Sequence, residues 1–247
     1  MPRYLSYLIT LAIVLLIWYA ASIQLGANLL PNPISVLSLL LSEAGSADYW
    51  AHVGISSWRI IAGVGLAFIF AVPLGLIVGS SPKINRIFSP IIYMSYPVPK
   101  IVLLPIILLL FGIGDASKII LIMLIVFFQV FITSRDAARN ISKEMILSFR
   151  SLGGNRLQYY RHIVLPASLP GIFTSMRLAG GTAVAVLFFV ESISASHGLG
   201  LYIIDAWGRA DYTAMYVGIV SMSFLGIILY EFFEILERKT CKWKYTQ

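Results

Sequence analysis

Six long apolar runs constrain this chain more than any other feature of its sequence. They cover about residues 5–23, 58–79, 91–111, 118–134, 170–190 and 214–236. Each is close to the roughly 20 residues that a helix needs to cross the hydrocarbon of a bilayer. Only 12% of the 247 residues are charged, against about a quarter in a soluble domain. The sequence predicts an all-α, polytopic membrane bundle of about six transmembrane helices, with residues 1–247 forming a single transmembrane domain.

The basic residues predict the orientation of this bundle. With the N-terminus inside, the inner connectors hold twelve Lys and Arg, whereas the outer connectors hold only Arg59, Lys118 and Arg209. Arg3 adds to the inner side. The positive-inside rule therefore places both termini in the cytoplasm. The same distribution accounts for the net charge of +7 without a nucleic-acid partner.

Small residues and prolines predict how two of the spans pack. The second span has a small residue at every fourth position: Ala67, Ala71, Gly75 and Gly79. Such a stripe lets another helix approach closely. The third span contains Pro97-Val-Pro-Lys100 and Pro105, which leave main-chain carbonyls without helical partners. We expect this span to be bent and to face the bundle interior.

The connector between the fourth and fifth spans, about residues 135–169, is cationic and broken. Ser142 is an expected N-cap, and Gly153-Gly154 is expected to end the short helix that follows, because glycine adopts the left-handed conformation without steric cost. Asn155 and Gln158 have the spacing of a capping box for a second short helix. Leu165-Pro166 is expected to stop that helix before the fifth span begins at about residue 170.

Two interpretations of this connector are open on physical grounds. It is either an amphipathic hairpin that lies on anionic lipid headgroups or a docking element for a soluble subunit. Both require one apolar face and one cationic face. Composition and periodicity do not separate them.

The spacing of Gly153, Ile163 and Leu165-Pro166 resembles the cytoplasmic EAA motif of permease subunits in binding-protein-dependent ABC importers. The flanking stretches Arg150–Gly153 and Val164–Gly171 are similar to those of the nitrate, sulfonate and taurine branch. Further similar segments extend the resemblance over nearly the whole chain: Pro97–Pro105, Phe111–Gly114, and Glu191 followed by Gly198–Gly200. One departure is that Leu147-Ser-Phe149 stands where the family has its Glu-Ala-Ala triplet, so the acidic contact expected there is absent.

The resemblance implies a type I ABC importer permease fold in the plasma (inner) membrane. It implies a permease homodimer around a central path, cytoplasmic ATP-binding subunits that hydrolyse ATP, and an extracytoplasmic substrate-binding protein. The implied cargo is a small solute such as nitrate, a sulfonate, taurine or a related organic compound. The residues implied to couple to the ATPase are Arg150, Ser151, Leu152, Gly153, Ile163, Leu165 and Pro166. The chain has no Gly-x-x-x-x-Gly-Lys-Ser/Thr loop, so we expect it to bind no nucleotide itself.

Three polar residues within the apolar spans are candidates for a special role. Glu191 either lines the translocation path or is an interfacial residue, hydrated or paired with Arg209. Gln129 is either an interhelical hydrogen-bonding residue or a path residue. Arg177, near the inner end of the fifth span, is expected to extend toward the lipid headgroups.

Two other classes of protein are alternatives. A secondary carrier, or another polytopic protein not driven by ATP, is also built from broken helices. A membrane hydrolase would have to use Ser194, Ser196 and His197, but adjacent residues on one short turn do not form a nucleophile–base pair. We therefore expect no catalytic residue. With Cys241 as the only cysteine, we also expect no metal site.

Gly153→Asp tests the coupling interpretation. The substitution is expected to leave membrane insertion intact and to uncouple ATP hydrolysis from uptake, because it places a side chain where the helix break requires none. Uptake and ATP hydrolysis would be measured together on the assembled transporter. Normal uptake by a normally assembled variant would contradict the docking assignment.

Overall fold

The computed structural model describes residues 3–26 and 28–244, with the main chain alone at residues 3, 4 and 6. Within those residues every regular element is a helix, which confirms the predicted all-α class. The α-helices are α1 (Arg3–Leu25), α2 (Pro33–Glu43), α3 (Ala47–Ser80), α4 (Pro82–Ser95), α5 (Leu104–Phe111), α6 (Asp115–Arg139), α7 (Lys143–Ser151), α8 (Arg156–Tyr159), α9 (Leu165–Ser194), α10 (Leu199–Gly208) and α11 (Tyr212–Thr240). The side chain of Arg3, part of the orientation argument, lies outside the described residues.

In the described part of the chain, five uninterrupted helical segments are long and apolar enough to cross a membrane, and one bent pair adds a further candidate. The bent pair consists of α4 and the segment Lys100–Phe111, which meet at 78°. It replaces the expected third span, and its bend at the prolines agrees with the predicted break. The second span begins at Ala47 rather than near residue 58, so much of the expected outer connector is helical.

Close contacts show that α3 and α6 run side by side in the same direction. A Cβ added to Gly63 would lie 2.7 Å from Ile122 Cγ2, and one added to Gly79 would lie 3.0 Å from Ala138 Cβ. The same step of sixteen residues separates the two positions on each helix, a rise of about 24 Å. The chain therefore leaves α3 at one end and enters α6 at the other.

This parallel arrangement decides whether the bent pair crosses the membrane. A re-entrant loop would return the chain to the end of α3 from which it left, and α6 would then run antiparallel to α3. The segment of residues 81–114 instead connects opposite ends of the two helices, so it makes one crossing. The described residues thus provide six candidate crossings, in agreement with the six spans that the sequence predicts.

The expected stop at Leu165-Pro166 is wrong. The helix runs without a break from Arg156 to Ser194. It therefore begins well before residue 170, where the fifth span was predicted to start. Proline lacks an N–H group, and its ring crowds the carbonyl four residues earlier in a regular α-helix. A π-helical turn at Tyr160–Val164 lies directly before Pro166. Its wider hydrogen-bond spacing lets the chain pass the proline without ending the helix.

The chain forms two compact units. Of the residues that the structure describes, unit 1 contains those up to Ser56 together with Glu191–Ser223, and unit 2 contains Ser57–Val190 together with those from Phe224 to residue 244. In unit 1, a small core of Val36, Tyr49 and Val217 joins α2 to the beginnings of α3 and α11. Tyr49 OH lies 2.6 Å from Ser221 Oγ in a buried hydrogen bond. The single domain expected over residues 1–247 stays a prediction.

Buried arginines link the helices of unit 2. Arg59 on α3 donates from Nε and Nη2 to Asp115 Oδ1 on α6, at 2.9 and 2.6 Å. Arg135 on α6 donates from Nε to Asn85 Oδ1 at 2.6 Å and from Nη2 to Ser89 Oγ at 2.8 Å, both on α4. The contacts fix α6 at its first and its last turns.

Gly79→Ala is expected to destabilise the protein by about 1–3 kcal/mol, because the added methyl group would collide with the main chain of α6 at Arg135. Gly65→Ala on the same helix is the matched control, since an added Cβ there has no atom within 4 Å. The control should be neutral or slightly stabilising, because alanine favours the helix over glycine. Thermal unfolding of the purified protein in detergent measures both, and equal effects would argue against the close packing.

Candidate functional site

The predicted docking element is a helical hairpin formed by residues 142–166, here called the coupling hairpin. Its first helix, α7, begins at Ser142, whose hydroxyl oxygen accepts from Met145 N at 3.3 Å. The helix is closed by Gly153, which has φ +74°. That left-handed conformation favours glycine. The predicted N-cap and the predicted glycine end are both confirmed.

The second half of the coupling hairpin begins with a complete capping box. Gln158 N donates to Asn155 Oδ1 at 2.9 Å, and Asn155 N donates to Gln158 Oε1 at 2.8 Å. These reciprocal bonds satisfy main-chain donors that a helix start would otherwise expose. The Asn155–Gln158 prediction is confirmed, and the hairpin turn is fixed on both sides by local hydrogen bonds.

An aromatic contact that the sequence interpretation missed closes the coupling hairpin. The Phe149 ring lies over Gly154, where any added Cβ would collide with it. The Phe149 and Tyr159 rings also have centroids 6.1 Å apart. Phe149 therefore packs α7 against α8, and Gly154 is small because the ring occupies the space. The signal in the sequence was an aromatic residue five positions before the second of two glycines.

The tip of the coupling hairpin presents apolar side chains outward. Leu152 is 85% exposed and Leu157 77% exposed. Met145, Phe149 and Leu152 have the spacing of one apolar helix face, but Phe149 turns inward while Leu152 projects. The two exposed leucines on this short, capped turn form a small projecting apolar surface.

The seven residues expected to couple to an ATPase fall into two groups. Arg150, Ser151, Leu152 and Gly153 lie at the exposed tip, whereas Ile163, Leu165 and Pro166 lie on the π-helical turn and the first turn of α9. The Ser151 hydroxyl donates to Leu147 O within α7 at 3.1 Å. At the base, Tyr160 OH lies 2.8 Å from Ser80 Oγ at the end of α3. The base of the hairpin is therefore attached to a membrane helix.

Glu191, the first candidate for the path, is fully buried in unit 1. Ser56 Oγ lies 2.8 and 2.9 Å from its two carboxylate oxygens. Gly200 N donates to Oε2 at 2.8 Å, and Leu199 N donates to Ser56 Oγ at 2.8 Å. These bonds hold the start of α10 against α3. Burial contradicts the alternative of a hydrated interfacial carboxylate.

The turn before α10 is shaped around the Glu191 carboxyl group. Gly198 has φ +139°, and an added Cβ would lie 2.5 Å from the Glu191 carboxyl carbon. Gly198 N also donates to His52 Nδ1 on α3 at 3.0 Å. The sequence indicated Glu191 and Gly198–Gly200 separately, but the structure joins them in one hydrogen-bonded cluster with Ser56 and His52. A path role for Glu191 stays a prediction.

Gln129 and Arg177 both lie in unit 2. The main-chain carbonyl of Gln129 accepts an interhelical hydrogen bond from Ser175 Oγ at 3.5 Å. The Gln129 side chain is half-buried. Arg177, expected to extend toward the headgroups, forms an ion pair that the sequence did not indicate. Its Nη1 lies 2.8 Å from Glu237 Oε2, and Lys244 Nζ lies 2.7 Å from Glu237 Oε1. Glu237, fully buried on α11, needs such cationic partners, and the expected approach of Arg177 to the headgroups stays a prediction.

Comparisons with known proteins agree with this geometry. The sequence profile of the family described as binding-protein-dependent transport system inner membrane component matches residues 71–242. The taurine transport system permease protein TauC of Escherichia coli K12 is 33% identical, over 95% of this chain and 88% of TauC. The putative aliphatic sulfonates transport permease protein SsuC of the same organism is 30% identical, over 92% of this chain and 87% of SsuC.

The fold is also similar to that of a solved structure. An inward-facing structure of the MetNI methionine ABC transporter superposes with a TM-score of 0.66 at 18% identity. The superposition covers 77% of this chain and 96% of that chain. It confirms the predicted type I ABC importer permease fold.

Gly198→Ala is expected to destabilise the protein by about 2–4 kcal/mol, because it combines an unfavourable φ with a clash against a buried carboxylate. Gly54→Ala in the same unit is the control, since an added Cβ there meets no atom within 4 Å. Thermal unfolding midpoints of the purified variants give the comparison. Two variants of equal stability would show that the Glu191 cluster does not need the glycine.

Proposed function

Because the chain belongs to the family of binding-protein-dependent transport system inner membrane components, we propose that it is the permease subunit of an ABC importer for small sulfonates such as taurine. The observation that carries the proposal is the 33% identity to the taurine permease TauC, which extends over 95% of this chain. The similarity to SsuC, a putative aliphatic sulfonate permease, supports the same cargo class. Both proteins are named for organic sulfonates. Nitrate and related organic solutes stay wider alternatives.

In this proposal the coupling hairpin docks on a cytoplasmic ATP-binding subunit, which hydrolyses the ATP. The exposed Leu152 and Leu157 enter an apolar cleft of the ATPase, and Arg150 lies at its rim. The capping box and the contact between Phe149 and Gly154 keep the hairpin rigid, so that movement of the ATPase reaches the membrane helices. The bond from Tyr160 to Ser80 lets that movement act on α3.

Docking by apolar contact is consistent with the departure from the family motif. Leu147-Ser-Phe149 stands in place of the acidic triplet. Phe149 is needed inside the hairpin, while Leu147 is 62% exposed and adds to the apolar surface. Apolar burial in the ATPase then replaces the acidic contact. The alternative of a hairpin lying on anionic lipid requires no such fit.

The remaining parts of the importer follow from the same assignment. Two copies of this chain form the permease homodimer in the inner membrane, with both termini in the cytoplasm as the charge distribution indicates. An extracytoplasmic binding protein delivers the sulfonate to the outer face. ATP binding and hydrolysis then alternate the access of the path by changing the populations of two states. Glu191 and Gln129 are the candidate path residues.

A secondary carrier is the second candidate class, because the bent third span is also typical of carriers. Proteoliposomes distinguish the two. In the ABC importer, taurine uptake requires this chain and its ATPase in the same vesicle, together with the binding protein and ATP. A carrier would transport taurine with this chain alone, in response to an ion gradient.

The test is taurine uptake and ATP hydrolysis by the reconstituted transporter with wild-type chain, Leu152→Asp and Leu152→Met. Wild type and Leu152→Met are expected to show uptake that depends on ATP and on the binding protein. Leu152→Asp should lower both uptake and stimulated ATPase activity at least tenfold, because it places a charge in an apolar cleft.

Copurification of the ATPase with each variant checks the cause. Loss of ATPase binding by Leu152→Asp alone supports docking at the hairpin tip. Full activity of Leu152→Asp would contradict the docking mode, and ATP-independent taurine uptake would contradict the importer assignment itself.

A further inference from the structure

A cavity of about 830 Å³ lies in unit 2 among the ends of α3 and α6, the length of α4 and the beginning of α7. Three cationic side chains line it: Arg86 on α4, Arg139 at the end of α6 and Lys143 at the start of α7. Within residues 3–26 and 28–244, none of the three forms an ion pair or a side-chain hydrogen bond. The cavity thus brings together three charges from three separate helices.

A fourth cation strengthens one wall of the cavity. Arg135 is 2% exposed and is fixed by its bonds to Asn85 and Ser89, both of which line the cavity. These bonds orient the two polar side chains and add positive potential behind them. Asp136 compensates in part, with Oδ1 at 3.7 Å from Arg135 Nη1.

Hydroxyl groups complete the polar lining. Tyr93 and Tyr159 border the cavity together with Ser80. Of the cavity-lining residues that the structure describes, none is Asp or Glu. The side chains of Arg86, Arg139 and Lys143 are exposed, so solvent screens part of the repulsion among these like charges. An anion in the cavity removes that repulsion and gains charge-assisted hydrogen bonds from arginine and lysine.

We propose that this cavity binds an oxyanion group of the phosphate or sulfonate type. The two arginines supply planar donors that match tetrahedral oxyanions, Lys143 supplies a point charge, and the tyrosines donate from their hydroxyl groups. The volume is in the range of ligand pockets and exceeds what a single inorganic anion fills. The group therefore belongs either to the headgroup of an anionic phospholipid or to a free oxyanion with its waters.

Occupancy would affect the coupling hairpin. Lys143 is the first residue of α7, and Arg86 lies on α4. An anion that contacts both holds α7 against α4. The site is separate from the exposed leucine tip and from the Glu191 cluster, so it stands whether or not the proposed sulfonate cargo is correct.

The test compares two double variants that remove the same charge from the full-length chain, purified in neutral detergent and stripped of lipid. Arg86→Gln with Arg139→Gln alters the cavity. Lys83→Gln with Arg161→Gln removes two exposed cations that do not line it. The probes are phosphatidylglycerol against phosphatidylcholine, and sodium sulfate or phosphate against chloride at constant ionic strength. Binding is measured by native mass spectrometry and by the thermal unfolding midpoint.

Wild type and the exposed-cation variant should bind the anionic probe alike, whereas the cavity variant should bind at least about tenfold more weakly. Selective retention of phosphatidylglycerol identifies a lipid headgroup, and stabilisation by sulfate or phosphate identifies a free oxyanion. Equal loss in both double variants, or no binding of either probe by wild type, overturns the proposal. If the cavity variant does not fold, Lys143→Gln, at an exposed position, replaces it with an expected several-fold loss.

Discussion

The parallel contact between α3 and α6 is the interaction on which unit 2 depends. Glycines at positions 63, 75 and 79 bring the two helices within main-chain contact along their length. In a membrane, where water exclusion does not drive helices together, such packing is the main source of association energy. The contact also forces the intervening bent pair to cross the bilayer once. The number of spans, and with it the side on which the coupling hairpin lies relative to α3, follows from this one interface.

Charged side chains add contacts of α6 near its two ends, one to α3 and one to α4. Arg59 pairs with Asp115, and Arg135 reaches Asn85 and Ser89 on α4. Arginine suits these positions because its planar fork satisfies several acceptors at once. These residues were counted in the sequence as loop charges that set the orientation. The structure shows that Arg59 and Arg135 are buried and hold helices together. The orientation of the bundle that the positive-inside rule predicts therefore depends on the exposed cations.

Much of the architecture could be predicted because it depends on local rules. Six apolar runs predicted six crossings, and the Ser142, Gly153 and Asn155 caps were each readable from a few neighbouring residues. The end of the second hairpin helix was not, because Pro166 is accommodated by a π-helical turn that no local preference indicates. The ion pair of Arg177 could not be predicted for a different reason. Its partner Glu237 lies sixty residues away in sequence, and only the fold brings them together.

The coupling hairpin was predicted least well at Phe149, a position of the family motif that also packs inside the hairpin. Phe149 occupies the place of the second alanine of the family's Glu-Ala-Ala triplet, and its ring fills the space above Gly154 and meets Tyr159. A hairpin stiffened by this aromatic ring does not need a carboxylate at position 147, where the family has its glutamate, to hold its shape. In the proposed docking, the attraction to the ATPase comes from the leucines at the tip, whose burial is worth about 25 cal/mol per Å² of apolar surface. In this hairpin, the inward Phe149 provides the rigidity, and the outward leucines provide the proposed affinity for the ATPase. An acidic triplet could combine the two roles.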